Sequence, residues 1–242
     1  MTIICNCQQQ LGCARMKVNF IIVPKMVQLD ISGPYEVLAR TPGWSIDLVA
    51  ATMDPVQTDR GLTILPTKTR DSADPSDILV VPGGTGIDFA MLDPEWIKYA
   101  KREGERARYV FGICTGSLLL AAAGLLKGRH AGGHWQARDL LSGFGVTPSD
   151  ARMTIDGKFY TSGGVTSGID MALRVVADVA GIDVAKRIQL AIEYEPEPPF
   201  EGGTPFTSSE DIVRSVLEAS ISRRAEREKL VAQAVRALEA RG

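Results

Sequence analysis

The sequence is poor in the features that would tie it to a disulfide framework, a membrane or a nucleic acid. Of its four cysteines, three lie in the first thirteen residues, and Cys114 stands alone in the body of the chain. This usage excludes a disulfide-stapled fold and favours a reducing compartment, the cytoplasm. No apolar run reaches transmembrane length, and the N-terminus lacks the basic and apolar regions of a secretory signal. A net charge of −2 argues against a nucleic-acid-binding surface.

The composition that remains is that of an ordinary globular protein, with 45% hydrophobic and 23% charged residues in a chain of 242. Residues 1–15 differ in character from the rest of the chain and are predicted to be a disordered leader, with Met16 a plausible native start. Their three cysteines make a poor metal site, because no histidine lies near them. Residues 16–194 are predicted to form one α/β domain. Residues 195–242 are predicted to form an extended linker and a C-terminal helix that packs on the domain or on a dimer partner.

Around Cys114 the chain is predicted to turn directly from a strand into a helix. Tyr109–Ile113 is a short apolar run rich in β-formers, residues 117–123 favour a helix, and Gly124 is a natural helix end. The small residues between them permit a tight turn with Cys114 at its apex, as in the nucleophile elbow of hydrolases. We therefore interpret Cys114 as a nucleophile whose thiolate is favoured by the helix dipole. The alternative is a small, buried core residue.

Strands that alternate with helices predict a doubly wound parallel sheet covered by helices on both faces. Ligands bind such sheets beyond the carboxyl ends of the strands. Asp30, the glycine-rich loop 82–86 and Cys114 each follow a predicted strand, so we expect them to converge at that edge. The loop lacks the spacing of a dinucleotide fingerprint and the lysine of a P-loop. It is predicted to aim backbone N–H groups at a neighbouring site.

Asp30 has two interpretations. Pro34 suits the first turn of a helix that begins near Ser32, which can cap it, and Asp30 then lies in the loop just before the cap. A carboxylate there is either a turn or capping residue, or an acid/base group if it meets Cys114.

The C-terminal part of the chain is predicted to hold one long helix, opened by Ser208 and Asp211 as a capping pair. Upstream, residues 152–162 are predicted to form a hairpin with Asp156-Gly157 as its two-residue turn. The apolar stripe of the final helix consists of Ile212, Val213, Val216, Leu217, Leu230, Val231, Ala234 and Leu238. Such a stripe is longer than a small domain needs, so it predicts a homodimer.

Several stretches resemble one superfamily. They are Gln-Leu-Asp-Ile-Ser-Gly-Pro at 28–34, Pro-Gly-Gly-Thr-Gly at 82–86, Cys-Thr-Gly-Ser at 114–117, Ala-Ala-Gly-Leu-Leu at 122–126 and His-Trp at 134–135. From about Lys17 to Ala191 the chain is similar to the ThiJ/PfpI superfamily, a flavodoxin-like relative of class I glutamine amidotransferases. Within it, the chain most resembles the isocyanide (isonitrile) hydratases. The motifs around Asp30 and Cys114 are shared more widely, with the sensor domains of AraC-type regulators.

Differences from other members narrow the implied activity. Proteases and amidotransferases of the superfamily use a histidine beside or near the cysteine, where this chain has Thr115. Glyoxalase-like and deglycase-like members use a glutamate from the first helix region, where this chain offers Asp30. The hydratases usually carry Thr-Thr-His-Trp, and here the segment is Gly-Gly-His-Trp at residues 132–135.

The resemblance implies an enzyme that hydrates a small isocyanide to an N-substituted formamide without metal, flavin or nucleotide. Cys114 would form a thioimidate, Asp30 would supply and then accept protons, and the Thr115 hydroxyl would orient the intermediate. The backbone amides of Gly84, Thr85 and Thr115 would stabilise developing charge. The residues expected to bind substrate are Gly83, Gly84, Thr85, Val165, His134 and Trp135. For His134, a structural role near the site is favoured over a catalytic one.

Two alternatives remain at this point. A ligand-sensing domain of the AraC-regulator type would need a helix-turn-helix module after the core, and one final helix counts against it. A redox sensor or stress protein would have Cys114 oxidised rather than turned over.

Overall fold

The structure, a computed structural model, describes residues 14–241. Residues 1–13, which hold Cys5, Cys7, Cys13 and most of the predicted leader, lie outside the described residues. The elements in chain order are β1 (Met16–Ile21), α1 (Leu29–Ala39), β2 (Trp44–Ala50), β3 (Val56–Gln57), β4 (Thr63–Ile64), β5 (Lys68–Thr69), β6 (Ile78–Val81), α2 (Thr85–Ala90), α3 (Pro94–Arg106), β7 (Tyr109–Ile113), α4 (Gly116–Ala122), β8 (His130–Ala131), a 3-10 helix (Arg138–Phe144), β9 (Thr147–Pro148), β10 (Met153–Asp156), β11 (Phe159–Ser162), α5 (Ser167–Ala180), α6 (Ile182–Ala191), α7 (Glu210–Glu218) and α8 (Ile221–Glu239).

Seven strands form one sheet in the order β10-β11-β7-β6-β1-β2-β5. All neighbouring pairs are parallel except β10 and β11, which form an antiparallel hairpin at one edge. The predicted α/β fold is confirmed, and its sheet is mostly rather than wholly parallel. The hairpin turn is one residue later than predicted, because Asp156 pairs with Phe159 within the ladder. The Asp156 carboxylate is held there by Arg129 and by the backbone N–H of His130.

The central strands form the floor of the core. Every residue of β6 is buried, as are the last four residues of β7. Helix α5 packs against both α1 and α6, while α4 contacts α2, α3 and α8. Apolar strands buried this way contribute to the hydrophobic stabilisation, and they fix where each following loop leaves the sheet.

Helix α1 begins earlier than the sequence predicts. Gln28 is the N-cap residue, and the backbone N–H of Ser32 already donates to Gln28 O at 2.9 Å. Ser32 is therefore inside the helix, and Asp30 lies in its first turn rather than in the preceding loop. Because Asp30 is inside the helix, its carboxylate is carried by a rigid element.

The C-terminal part is two helices, not one. The Ser220 hydroxyl lies 3.1 Å from Val216 O and 3.0 Å from Leu217 O, and α7 ends just before it. A side chain that bonds these carbonyls competes with helix continuation. The predicted capping pair is also wrong: the N-cap of α7 is Ser209, without a side-chain cap bond, and Ser208 donates to Gly202 O at 2.5 Å.

The break divides the predicted apolar stripe. Within α8, Val231 and Ala234 are buried, and Leu230 and Leu238 pack against the core. On α7, three side chains stay largely exposed: Ile212 (60%), Val216 (43%) and Leu217 (45%). Among residues 14–241, no helix combines the length and the hydropathy needed to cross a bilayer.

Candidate active site

Cys114 occupies the tight turn between β7 and α4. Its φ is 57°, a left-handed conformation that is uncommon for a residue other than glycine. The turn is held on both sides: the Cys114 N–H donates to Ser162 O at 3.0 Å, and Cys114 O accepts from the His134 N–H at 3.1 Å. Its side chain is only 5% exposed. The predicted strand–turn–helix connection is therefore present, with the thiol enclosed by neighbouring segments.

Asp30 is completely buried at the first turn of α1. Its Oδ2 accepts a hydrogen bond from the Gly83 N–H at 2.7 Å. Its other oxygen, Oδ1, is buried and has no hydrogen-bond partner within the described chain. A buried carboxyl oxygen without a partner is costly, so a function for it must be sought.

Gly83 brings Asp30 and Cys114 together. While its N–H binds Asp30, a Cβ built on Gly83 would lie 2.7 Å from Cys114 Cβ and 2.8 Å from Cys114 Sγ. No side chain fits there, so glycine is required for the loop to lie this close to the thiol. The structure thus brings the segments of Asp30, the glycine loop and Cys114 together at one edge of the sheet, as predicted.

Thr115 and Gly84 bind each other. The Gly84 N–H donates to Thr115 Oγ1 at 2.9 Å, and that hydroxyl lies 3.3 Å from Gly84 O. The Gly84 amide, expected to stabilise developing charge, is thus already occupied in this structure. Thr85 is the first residue of α2 and begins that helix beside the site.

Burial dominates the electrostatics of the pair. Loss of water raises the pKa of Asp30 to about 7, against the lowering effect of the Gly83 N–H. Burial also raises the pKa of the Cys114 thiol above its usual range, and the negative charge of Asp30 raises it further. Burial and the charge of Asp30 thus act against the thiolate that the helix dipole is expected to favour, and the thiolate stays a prediction. Two groups that influence each other in this way titrate as a pair.

His134 lies beside Cys114 but is held neutral. Burial, followed by the charge of Arg227, lowers the pKa of His134 to about 4. Its Nδ1 accepts from the Gln136 N–H at 3.3 Å, and its ring is 6.1 Å from that of Trp135. A neutral, hydrogen-bonded imidazole of this kind fits the structural role favoured from sequence.

Val165 is half-buried between β11 and α5. This loop follows the strand next to β7, because Ser162 pairs with Ile113 in the ladder. Val165 is thus placed at the same edge of the sheet as Cys114, and its contact with substrate stays a prediction.

No sequence pattern pointed to the C-terminal residues that approach the site. Arg227 of α8 pairs with Asp88 of α2, 139 positions away, and Arg224 binds Gln136 O and Asp139. The signal for such a contact is the burial of an arginine in the final helix. The pattern of charges in the sequence does not show which arginine is buried.

Comparison with known proteins matches residues 16–178 of the chain to the DJ-1/PfpI family. The chain belongs to the DJ-1/PfpI family. An isonitrile hydratase of Pseudomonas putida is 40% identical over 198 residues, which cover 82% of this chain and 87% of that relative. A ThiJ/PfpI family protein of Pseudomonas syringae has a solved structure with a TM-score of 0.89 at 34% identity, covering 96% of this chain and 97% of that one. The resemblance expected from the motifs is confirmed.

This DJ-1/PfpI chain is also similar to a transcriptional regulator, GbdR of Pseudomonas aeruginosa. The identity is 31% over 137 residues, which cover 56% of this chain and 37% of the regulator. Regulators of this kind are thus relatives over part of their length.

Proposed function

We propose that this DJ-1/PfpI chain is an isocyanide hydratase, which adds water to an isonitrile and releases an N-substituted formamide. The observation that carries this proposal is the 40% identity to an isonitrile hydratase over most of both chains. The meeting of a buried thiol and a buried carboxyl at Gly83 supports it, because the reaction needs a nucleophile and a proton carrier in contact.

In the first half of the reaction, Cys114 adds to the terminal carbon of the isocyanide. The thiol proton passes to Asp30, the sulfur–carbon bond forms, and Asp30 returns the proton to the same carbon. The product is a thioimidate, R–N=CH–S–Cys, with no leaving group expelled. A carboxyl whose pKa is about 7 is suited to both steps, since it neither holds nor releases its proton too strongly.

In the second half, the oxygen of water adds to the thioimidate carbon, and Asp30 passes one of the water protons to the imidate nitrogen, which gives R–NH–CH(OH)–S–Cys. The carbon–sulfur bond then breaks as Asp30 carries the hydroxyl proton to the departing sulfur, so Cys114 leaves as the thiol and the formamide R–NH–CHO is released. Thr115 would hold the Gly84 peptide in place during both halves. The Thr85 and Thr115 amides remain the proposed donors to developing charge.

Substrate would lie against Gly83, Gly84, Thr85 and Val165, with His134 and Trp135 forming a further wall. His134 would act there through shape and polarity, because its low pKa keeps it uncharged. We retain the cytoplasmic location as a prediction from the cysteine usage.

The homodimer remains part of this proposal, but fewer apolar residues support it than the sequence suggested. The apolar residues of α8 cover the chain's own core, whereas Ile212, Val216 and Leu217 of α7 lie exposed together. An apolar helix face of this kind favours burial against a second copy.

A sensory role is the alternative, and the comparisons support it less. The match to GbdR covers 37% of that regulator, at lower identity and over fewer residues than the match to the hydratase.

The test is product analysis with a panel of small alkyl and aryl isocyanides. We expect formamide to accumulate well beyond one equivalent per protein chain, and not with Cys114→Ala. If no isocyanide is turned over, and mild peroxide converts Cys114 to stable oxidised forms, the redox role replaces this proposal.

A further inference from the structure

Helix α8 contacts three of the elements that begin beside the candidate site. It contacts α2, which follows the Gly83-Gly84 loop, and α4, which follows Cys114. It also contacts the 3-10 helix that follows His134. A C-terminal helix in this position is placed to influence the chemistry, although none of its residues belongs to a motif of the site.

The contact with α2 is a buried ion pair. Arg227 Nε donates to Asp88 Oδ1 at 2.7 Å and Arg227 Nη2 donates to Asp88 Oδ2 at 2.9 Å, so the pair is bidentate. Both side chains are 6% exposed. Buried pairs often contribute little net stability, because desolvation offsets their attraction. Stability alone therefore gives no sufficient reason for an arginine here.

The ion pair joins α8 to the helix that follows the glycine loop. Asp88 lies one helical turn beyond Thr85, and Gly83, just before that helix, has no room for a Cβ against Cys114 Sγ. The charge of Arg227 acts to lower the pKa of Cys114 and of His134, as expected for a cation near both. The other charged groups acting there are Asp30 on Cys114, and Arg223 and Arg138 on His134.

A second set of contacts joins α8 to the segment that follows His134. Arg224 donates to Gln136 O at 2.7 Å and to both carboxylate oxygens of Asp139 at 2.8 and 2.6 Å. The Gln136 side chain donates to Ser220 Oγ at 2.8 Å. The α8 helix thus binds the segment after His134 as well as the helix after the glycine loop.

We propose that Arg227 is a positioning residue for the hydration reaction: anchored by Asp88, it holds α2 and its glycine loop beside Cys114 and supplies a fixed positive charge to the buried site. The inference deepens the proposed function and rests on it for the effect on turnover. Its effect on Cys114 itself can be measured whether or not an isocyanide is turned over.

The test compares a variant that keeps the positive charge of Arg227 with variants that remove it. Asp88→Asn keeps Arg227 charged and hydrogen-bonded. Asp88→Asn with Arg227→Gln replaces the ion pair by two neutral amides. An apolar pair, Asp88→Leu with Arg227→Met, is the second charge-free variant. It replaces the amide pair in the comparison if the amide pair does not fold. Arg241→Met is the matched control, because Arg241 follows α8 and binds Ala122 O at the far end of α4.

The first readout is the rate of Cys114 alkylation by iodoacetamide against pH, measured on folded protein. We expect Asp88→Asn and Arg241→Met to match or exceed the wild-type rate, and the charge-free pairs to react about tenfold more slowly at pH 8, which corresponds to one pKa unit. The second readout is hydration, where kcat should fall in the charge-free pairs with KM little changed.

Equal alkylation profiles in Asp88→Asn and a charge-free pair would overturn the proposal and leave Arg227 a purely structural residue. Slow alkylation of the charge-free pairs in a protein that hydrates no isocyanide would instead support the charge effect and reject the proposed function.

Discussion

Replacing Asp30 by Asn should make the protein more stable while removing its activity. The carboxyl is fully buried, and burial raises its pKa from an ordinary 3.8 to about 7. Well below pH 4 it is protonated in both the folded and the unfolded chain. As the pH rises from 4 to 7, the unfolded chain releases the proton first, so the wild-type free energy of unfolding falls over this window.

The size of this difference in the free energy of unfolding follows from the shift in the pKa of Asp30. A difference of about 3 pKa units corresponds to about 4 kcal/mol at pH 8. Asn stays neutral at every pH and can still accept from the Gly83 N–H. We therefore expect Asp30→Asn to come close to wild type near pH 4 and to exceed it by roughly 4 kcal/mol at pH 8.

The assay combines urea denaturation at pH 4 and pH 8 with steady-state hydration and iodoacetamide labelling. Hydration should fall at least ~100-fold, because the proton carrier is gone. Labelling of Cys114 should persist and become faster, since the Asp30 charge raises the pKa of the thiol. Asp183→Asn is the matched control, because Asp183 is a first-turn residue of α6 and is exposed, so its replacement removes a carboxyl that is not buried. Near-normal turnover with reduced stability at pH 8 would refute the reasoning and reduce Asp30 to a helix-start residue.

The remaining predictions concern the nucleophile, its neighbour and the dimer. Cys114→Ala and Cys114→Ser should fold, because the side chain is small, and should show no detectable turnover; substantial hydration by either would exclude a covalent mechanism. Thr115→Val should lower the free energy of unfolding by about 1–3 kcal/mol, because it leaves the Gly84 N–H without its acceptor, whereas Thr115→Ser should stay close to wild type in the same denaturation experiment. Light scattering should give a dimer for wild type and a monomer for Ile212→Glu; a wild-type monomer that persists at all concentrations would end the dimer proposal.

The features that the sequence could predict were mostly local. The strand before Cys114 and the helix after it follow from four apolar residues and a run of helix formers, and both are present. The meeting of Asp30 with Gly83, 53 residues apart, was predictable from a rule of topology, because parallel strands end at one edge of the sheet. Neither inference needed the packing of side chains.

The rest depended on tertiary contacts that no local pattern encodes. The helix dipole favours a thiolate at Cys114, but the burial that acts against it arises from segments far along the chain. The sequence does not show that the Gly84 N–H donates to the hydroxyl of Thr115. The final helix breaks at Ser220 because its hydroxyl bonds the preceding turn, and its second half is tied to α2 by Arg227.

The most direct measurement of the central claim is intact mass spectrometry of the enzyme mixed with an isocyanide and quenched in acid within one turnover. The account predicts a species heavier by one isocyanide molecule, located by peptide mapping on Cys114, which disappears as formamide accumulates. It also predicts that Asp30→Asn changes how long this species lasts. Formamide production with no adduct on Cys114 at any time, and undiminished in Cys114→Ala, would contradict it.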